Sequence, residues 1–403
     1  VSASLQLLGG DFSVRGSLAR VGAYGLALEE GEFAGYYRPD LNGAFELSAN
    51  LAELSFEATT LEELRLLAQG DLDRQTLTLD LEGDYRGRLA ISGVSEGQTW
   101  TGTLAPTIVS SPHGDWRLQQ TVSLLGSRHS GVFTVAGHCW SSSGTAICPG
   151  ELRFAERSSG SLKIKGDMDF LAALFPQDIA VQGDLDLDVS AAWGGAQPLE
   201  LRGYSRSTDV NIIRQFGGGE QATVSWERAE GRFEQRPEGL QIDAEIISGG
   251  RPILAAAMLL PADPENRDLS GSVEFRHLQL ATLAPLIPQL SSLEGDLHGR
   301  VELRVSVEKP LGTGVIEVQH GRIGLLGNPT QLEGLELRLA LEGDRSRVTG
   351  SGLLGGGPIQ LEGWLSQVPE LRLDLQVKGE EHQFLVPPSA EMKVSEELQF
   401  VAT

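Results

Sequence analysis

The dominant signal along the chain is strict alternation of apolar and polar residues. In LRLDLQVKG, Leu371, Leu373, Leu375 and Val377 fall on one face, and Arg372, Asp374, Gln376 and Lys378 on the other. Successive side chains of a strand point to opposite faces, so a period of two reads as a half-buried strand. The same period recurs at Leu185, Leu187 and Val189, and at Leu240, Ile242, Ala244 and Ile246. It recurs again at Val301, Leu303, Val305 and Val307, and at Leu335, Leu337, Leu339 and Leu341. Each run closes on Gly, Asp, Asn or Pro, the residues that punctuate turns. The pattern predicts an all-β chain of antiparallel strands with one wet face and one aliphatic face.

Helical periodicity is scarce. It predicts short helices over Asp169–Phe175 (DFLAALF) and Leu278–Ile287 (LQLATLAPLI), each stopping at a proline. A third candidate, Thr60–Ala68 (TLEELRLLA), has a Thr in the cap position and an acidic first turn. The first two stretches expose a repeat. LFP ending at Pro176 precedes Gly183-Asp184-Leu185, and LIP ending at Pro288 precedes Gly295-Asp296-Leu297, an offset of 112 residues. Repeats of this kind stack into elongated arrays. The predicted organisation is a β-rich segment over 1–159 and two repeat units over 160–270 and 271–403.

Composition narrows the function. Of 403 residues, 55 are acidic and 32 basic, for a net charge of −23. Nucleic acid is not an expected partner, because phosphate binding needs clustered Lys and Arg. Hydrophobic residues make up 40% and aromatic residues only 6%, so the apolar faces are aliphatic. No signal peptide is visible and no apolar run is long enough to span a bilayer. The first residue is Val1 and not Met, so a signal or membrane anchor is expected to have been cut away from this stretch.

Motifs for chemistry are weak. Cys139 and Cys148 flank a Ser- and Gly-rich turn in HCWSSSGTAIC, a spacing that fits a disulfide across a hairpin. Reduced structural cysteines and a metal site that includes His138 are the alternatives, and no fourth ligand with zinc-like spacing follows. Gly350-Ser351-Gly352-Leu353-Leu354-Gly355 formally matches a dinucleotide fingerprint, yet Pro358 and strand-like sequence follow where a helix is needed. The histidines are scattered, and no nucleophile elbow occurs. Acidic residues sit mostly at outward strand positions, which a solvated face explains without catalysis. The expectation is no enzyme, no metal and no cofactor.

The aliphatic faces remain. For one strand, an ordinary core is the simpler explanation. Three features favour an open groove for the set: the faces are nearly all Leu, Val and Ile; the unit repeats; and little helix is available to cover a sheet. Each acyl CH₂ removed from water is worth roughly 0.8 kcal/mol, so a 16-carbon chain needs on the order of 13 kcal/mol of shielding. A continuous aliphatic face supplies it. The expected groove residues are Leu185, Leu187, Val189, Leu240, Ile242, Val301, Leu303, Val305, Leu335, Leu337, Leu339, Leu371, Leu373, Leu375 and Val377. The competing readings are a structural or adhesive β-solenoid with a dry core, and a glycan-acting β enzyme.

Four stretches carry a family resemblance. They are TWTGTLAPTIVSSPHGDWRLQQ, HCWSSSGTAIC, the LAALFPQDIAVQGDLDLDVSAAW unit with its second copy, and LEGLELRLALEGDRSRVTGSGLLGGGPIQLEGW. In order and spacing they resemble the C-terminal half of the TamB family, the AsmA-like subunits of the bacterial translocation and assembly module. The resemblance covers roughly residues 95–365. It implies an elongated β-taco, a folded antiparallel sheet with a hydrophobic groove. It implies a periplasmic location, an inner-membrane anchor, phospholipid movement between membranes, and assembly of outer-membrane β-barrel clients. The implied partner is TamA, an outer-membrane barrel. The chain stops at Thr403, short of the segment expected to meet that barrel, so the contact is expected to be absent here.

Overall fold

A computed structural model describes residues 2–402 apart from 9–10, 24–25, 57–58, 113, 169–170, 172–175, 177, 217–220, 263–268, 288, 306–309, 328–329, 344, 367–371 and 387–389. Nearly all of the described chain is antiparallel strand, as the alternation predicts. It divides into two compact units, Val1–Gly166 with Leu187–Leu199, and Asp167–Asp186 with Glu200–Thr403.

In the first unit, strands Asp11–Ala23, Leu26–Arg38, Ala44–Phe56, Thr59–Gly70, Arg74–Gly83 and Arg86–Glu96 pair in chain order. Further along, strands shorten and pairing leaves chain order. Val122–Ser127 returns to Thr99–Leu104, and Gly114–Leu118 pairs with Trp140–Ser142. The tightest packing of this unit lies there, with Leu118 and Val122 each 2% exposed. In the second unit, strands from Glu200–Gln215 through Ala390–Ala402 pair in chain order without exception among the described residues.

A crease crosses the strands of the first unit. The ladder skips Arg20 opposite Glu29, Glu29 opposite Glu53, and Glu53 opposite Glu62. Arg20 and Glu53 adopt left-handed φ values of 48° and 52°. Apolar positions change parity at this line, from Leu47 and Leu51 to Leu54 and Phe56, and from Leu61 to Leu64 and Leu66. One extra residue per strand re-aims the side chains and bends the strand, so the apolar set keeps to one side. The second unit repeats the device. His277 and His320 have φ values of 57° and 53°, and register shifts fall beside them, between Phe275 and Leu278 and between Val318 and Gly321.

This crease corrects one expectation. Thr60–Ala68 is not a helix but the interior of strand Thr59–Gly70. The irregularity between Leu61 and Glu63 separates Leu61 from Leu64 by three residues and so imitates helical spacing. The second expected helix is shorter and tighter than its pattern. Leu278 and Gln279 finish strand Leu269–Gln279, and Leu280–Leu286 is a 3₁₀ helix with Pro285 inside it. The first, Asp169–Phe175, falls almost wholly outside the described residues.

Candidate functional site: an aliphatic sheet face

Register brings Ile242, Leu303, Leu337, Leu339, Leu375 and Val377 of the expected groove residues onto one face. Residues paired directly across antiparallel strands share a face. One row runs Ile246, Leu254, Phe275, Gly299, Ile316, Leu339, Val348, Gly363, Leu375, each paired with the next. A parallel row joins Ile242, Met258, Gly271 and Leu303. Another joins Leu337, Gly350, Leu361 and Val377. At about 4.8 Å per inter-strand step, the longest row covers roughly 38 Å along the sheet.

Burial separates two classes within the expected set. Leu185, Val301 and Leu335 are buried, at 9%, 6% and 4% exposure. Leu335 forms a small core with Ile359 and Leu361. Leu187, Val189, Leu240, Ile242, Leu303, Leu337, Leu339, Leu375 and Val377 are only half-buried. Val305 and Leu373 lie on strands whose side chains are not described there, and Leu371 falls outside the described residues. Leu185 belongs to the second unit, while Leu187 and Val189 belong to the first.

Across many strands this aliphatic face is only partly covered. The apolar members of the rows that alternation does not single out are Leu254, Met258, Phe275, Ile316, Val348 and Leu361. Glycine, alanine and serine interrupt the apolar period on their strands and dilute it. Glycines on two other strands have a physical reason. A Cβ at Gly203 would meet the Phe233 ring at 2.2 Å, and one at Gly102 would meet the Trp100 ring at 2.1 Å. Wide side chains lie across bare backbone, which keeps the face smooth.

The opposite face is charged and paired. Arg276 donates to Glu274 at 2.7 Å and reaches Glu245 at 3.5 Å. Arg322 pairs with Glu294, Arg338 with Glu317, and Arg347 with Glu362. The hydrogen bond from Arg276 holds the Glu274 carboxyl below its ordinary range, and Arg65 does the same for Glu63. At the turn after Gly70, the backbone N–H groups of Arg74 and Asp73 lower Asp71. A hollow of about 890 Å³ in the first unit also lies on the charged face, lined by Arg15, Glu32, Asn50, Arg65 and Asp80 among others, and it gathers none of the expected groove residues.

Cys139 and Cys148 are joined in a disulfide. It extends the hairpin in which Trp140 pairs with Ile147. Among the described residues, no group of three or more His, Cys, Asp or Glu side chains could hold a metal. No described helix is long and apolar enough to cross a membrane.

Residues 13–318 match the family model described as TamB, N-terminal domain. The quoted motifs had instead pointed to the C-terminal half of that family. The chain is 20% identical over 327 residues to the translocation and assembly module subunit TamB of Haemophilus influenzae, covering 75% of this chain and 24% of that protein. It thus spans about a quarter of the length of that curated relative. No solved structure matches.

Proposed function

Because the chain belongs to the TamB family, we propose that it forms one stretch of a non-enzymatic lipid conduit across the periplasm. The carrying observation is the continuous aliphatic stripe of the second unit, from Ile246 to Leu375, most of whose members are only partly covered. In this reading, phospholipid acyl chains lie against Ile242, Leu303, Leu337, Leu339, Leu375 and Val377, and headgroups stay in water. Leu187 and Val189 do the same in the first unit. Shielding worth roughly 0.8 kcal/mol per CH₂ needs no specific pocket, so a chain can slide from strand to strand. The longer protein is held at the inner membrane and works with a TamA barrel in delivering lipid and assembling outer-membrane β-barrel proteins. The name of the Haemophilus relative, a translocation and assembly module subunit, supports that role.

The test is photo-crosslinking. A benzophenone side chain at Leu187, Leu303 or Leu337, irradiated in cells, is expected to capture phospholipid. The same group at outward-facing Glu302 or Arg338 is the control. Equal capture on both faces, or none on the aliphatic face, overturns the reading.

A further inference from the structure

The sheet of the second unit has a notch. The hairpin of Gly239–Ser248 and Arg251–Pro261 ends at Ser248 and Arg251. Its neighbours run past it. Gln221–Arg236 pairs with the hairpin only from Arg228 onward, and Leu269–Gln279 only through Phe275. Two strand edges therefore face each other across the missing hairpin. Three inter-strand steps put them about 14 Å apart, which is room for one helix about 10–12 Å across with its side chains.

The 3₁₀ helix Leu280–Leu286 packs there, against Gln221–Arg236 on one side and Leu269–Gln279 and Leu290–Val305 on the other. Among the described residues, no backbone hydrogen bond ties it to either edge. None of its own residues is buried, yet Ala222 and Val224 on the strand it touches are only 2% and 4% exposed. In a chain of net charge −23, no charged residue occurs from Leu278 to Leu293 or from Ile323 to Leu332. Leu290 pairs with Leu325, so these two uncharged segments meet. Their rim shows Ile287, Leu325 and Leu326 at 43%, 50% and 71% exposure.

We propose that Leu280–Leu286 is a removable apolar plug in a lateral window of the sheet, and that the window takes a lipid acyl chain. This rests on the conduit reading above. An uncharged segment held by apolar contact and no backbone ladder exchanges with a hydrocarbon chain at little cost, since one apolar surface replaces another. The headgroup stays in water at the window's rim while the tail passes.

The test places benzophenone at Leu283 in the plug, at Leu326 on the rim and at Leu339 on the stripe. The chain is then mixed with vesicles of phosphatidylethanolamine and phosphatidylglycerol. Lipid adducts are expected at both Leu283 and Leu339. Weakening the plug by Leu283→Ser with Leu286→Ser, with β content checked by circular dichroism, is expected to speed adduct formation at Leu339. Adducts at Leu339 with none at Leu283, or an unchanged rate in the double variant, overturn the plug and leave the conduit reading standing. Adducts at Leu326 alone mean surface adsorption and also overturn it. With no adduct anywhere, the conduit reading fails and takes the plug with it.

Discussion

At the residue scale, exposure divides the apolar face into side chains that hold the sheet and side chains that line it. Leu335 is 4% exposed and packs with Ile359 and Leu361. Leu335→Ala is expected to cost about 2–5 kcal/mol, read as a lower denaturation midpoint at unchanged slope. Gly102→Val forces its added carbons into the Trp100 ring and is expected to cost about 1–3 kcal/mol in the same measurement. Charge contributes through hydrogen bonds to carboxylates. Asp71 accepts from the N–H groups of Asp73 and Arg74, both at 2.8 Å, and its folded pKa lies below the ordinary 3.8. The stability it adds is complete above that ordinary value and disappears as pH falls through the lower folded one. Asp71→Asn is therefore expected to destabilise at neutral pH, with the difference from wild type vanishing in strong acid. A difference that is constant with pH contradicts the assignment. These residues were legible unevenly. Leu335 stands in a clean alternation, whereas the reason for Gly102 lies in a ring that long-range pairing brings over it.

At the element scale, strands were the most legible feature and the crease the least. Alternation marked the strands because each has one wet face. The crease residues are charged or polar and sit where the period slips by one. In Leu61-Glu62-Glu63-Leu64 that slip read as helix. Nothing local distinguishes it, since the signal is the alignment of Arg20, Glu29, Glu53 and Glu62 across four strands that pair only after folding. Glu53 carries a φ of 52° and is exposed. A left-handed residue costs roughly 1–2 kcal/mol when it has a Cβ, so Glu53→Gly is expected to be neutral or stabilising. Glu53→Val is expected to destabilise, because a β-branched residue is the worst fit for that conformation. Thermal denaturation of the pair decides. If both behave alike, backbone strain at the crease is not what positions it. The hairpin was read correctly from spacing, and its disulfide closes a short loop. Cys139→Ser with Cys148→Ser is expected to cost about 2–3 kcal/mol, and a change near zero would mean that the strand pairing alone holds the hairpin.

At the scale of the whole molecule, the lipid reading depends on continuity. A row of paired residues from Ile246 to Leu375 crosses nine strands of one unit, and all of its members but the buried Val348 and Gly363 stay only partly covered. A dry core predicts those positions buried, while a conduit needs them wet or filled with lipid. The most direct measurement is native mass spectrometry of the chain purified from a cell envelope, as wild type and as Leu303→Arg with Leu339→Arg. The account expects lipid adducts on the wild type, and a double variant that keeps its β content and loses them. A wild type without lipid, or a double variant that unfolds as a packed core would, contradicts it.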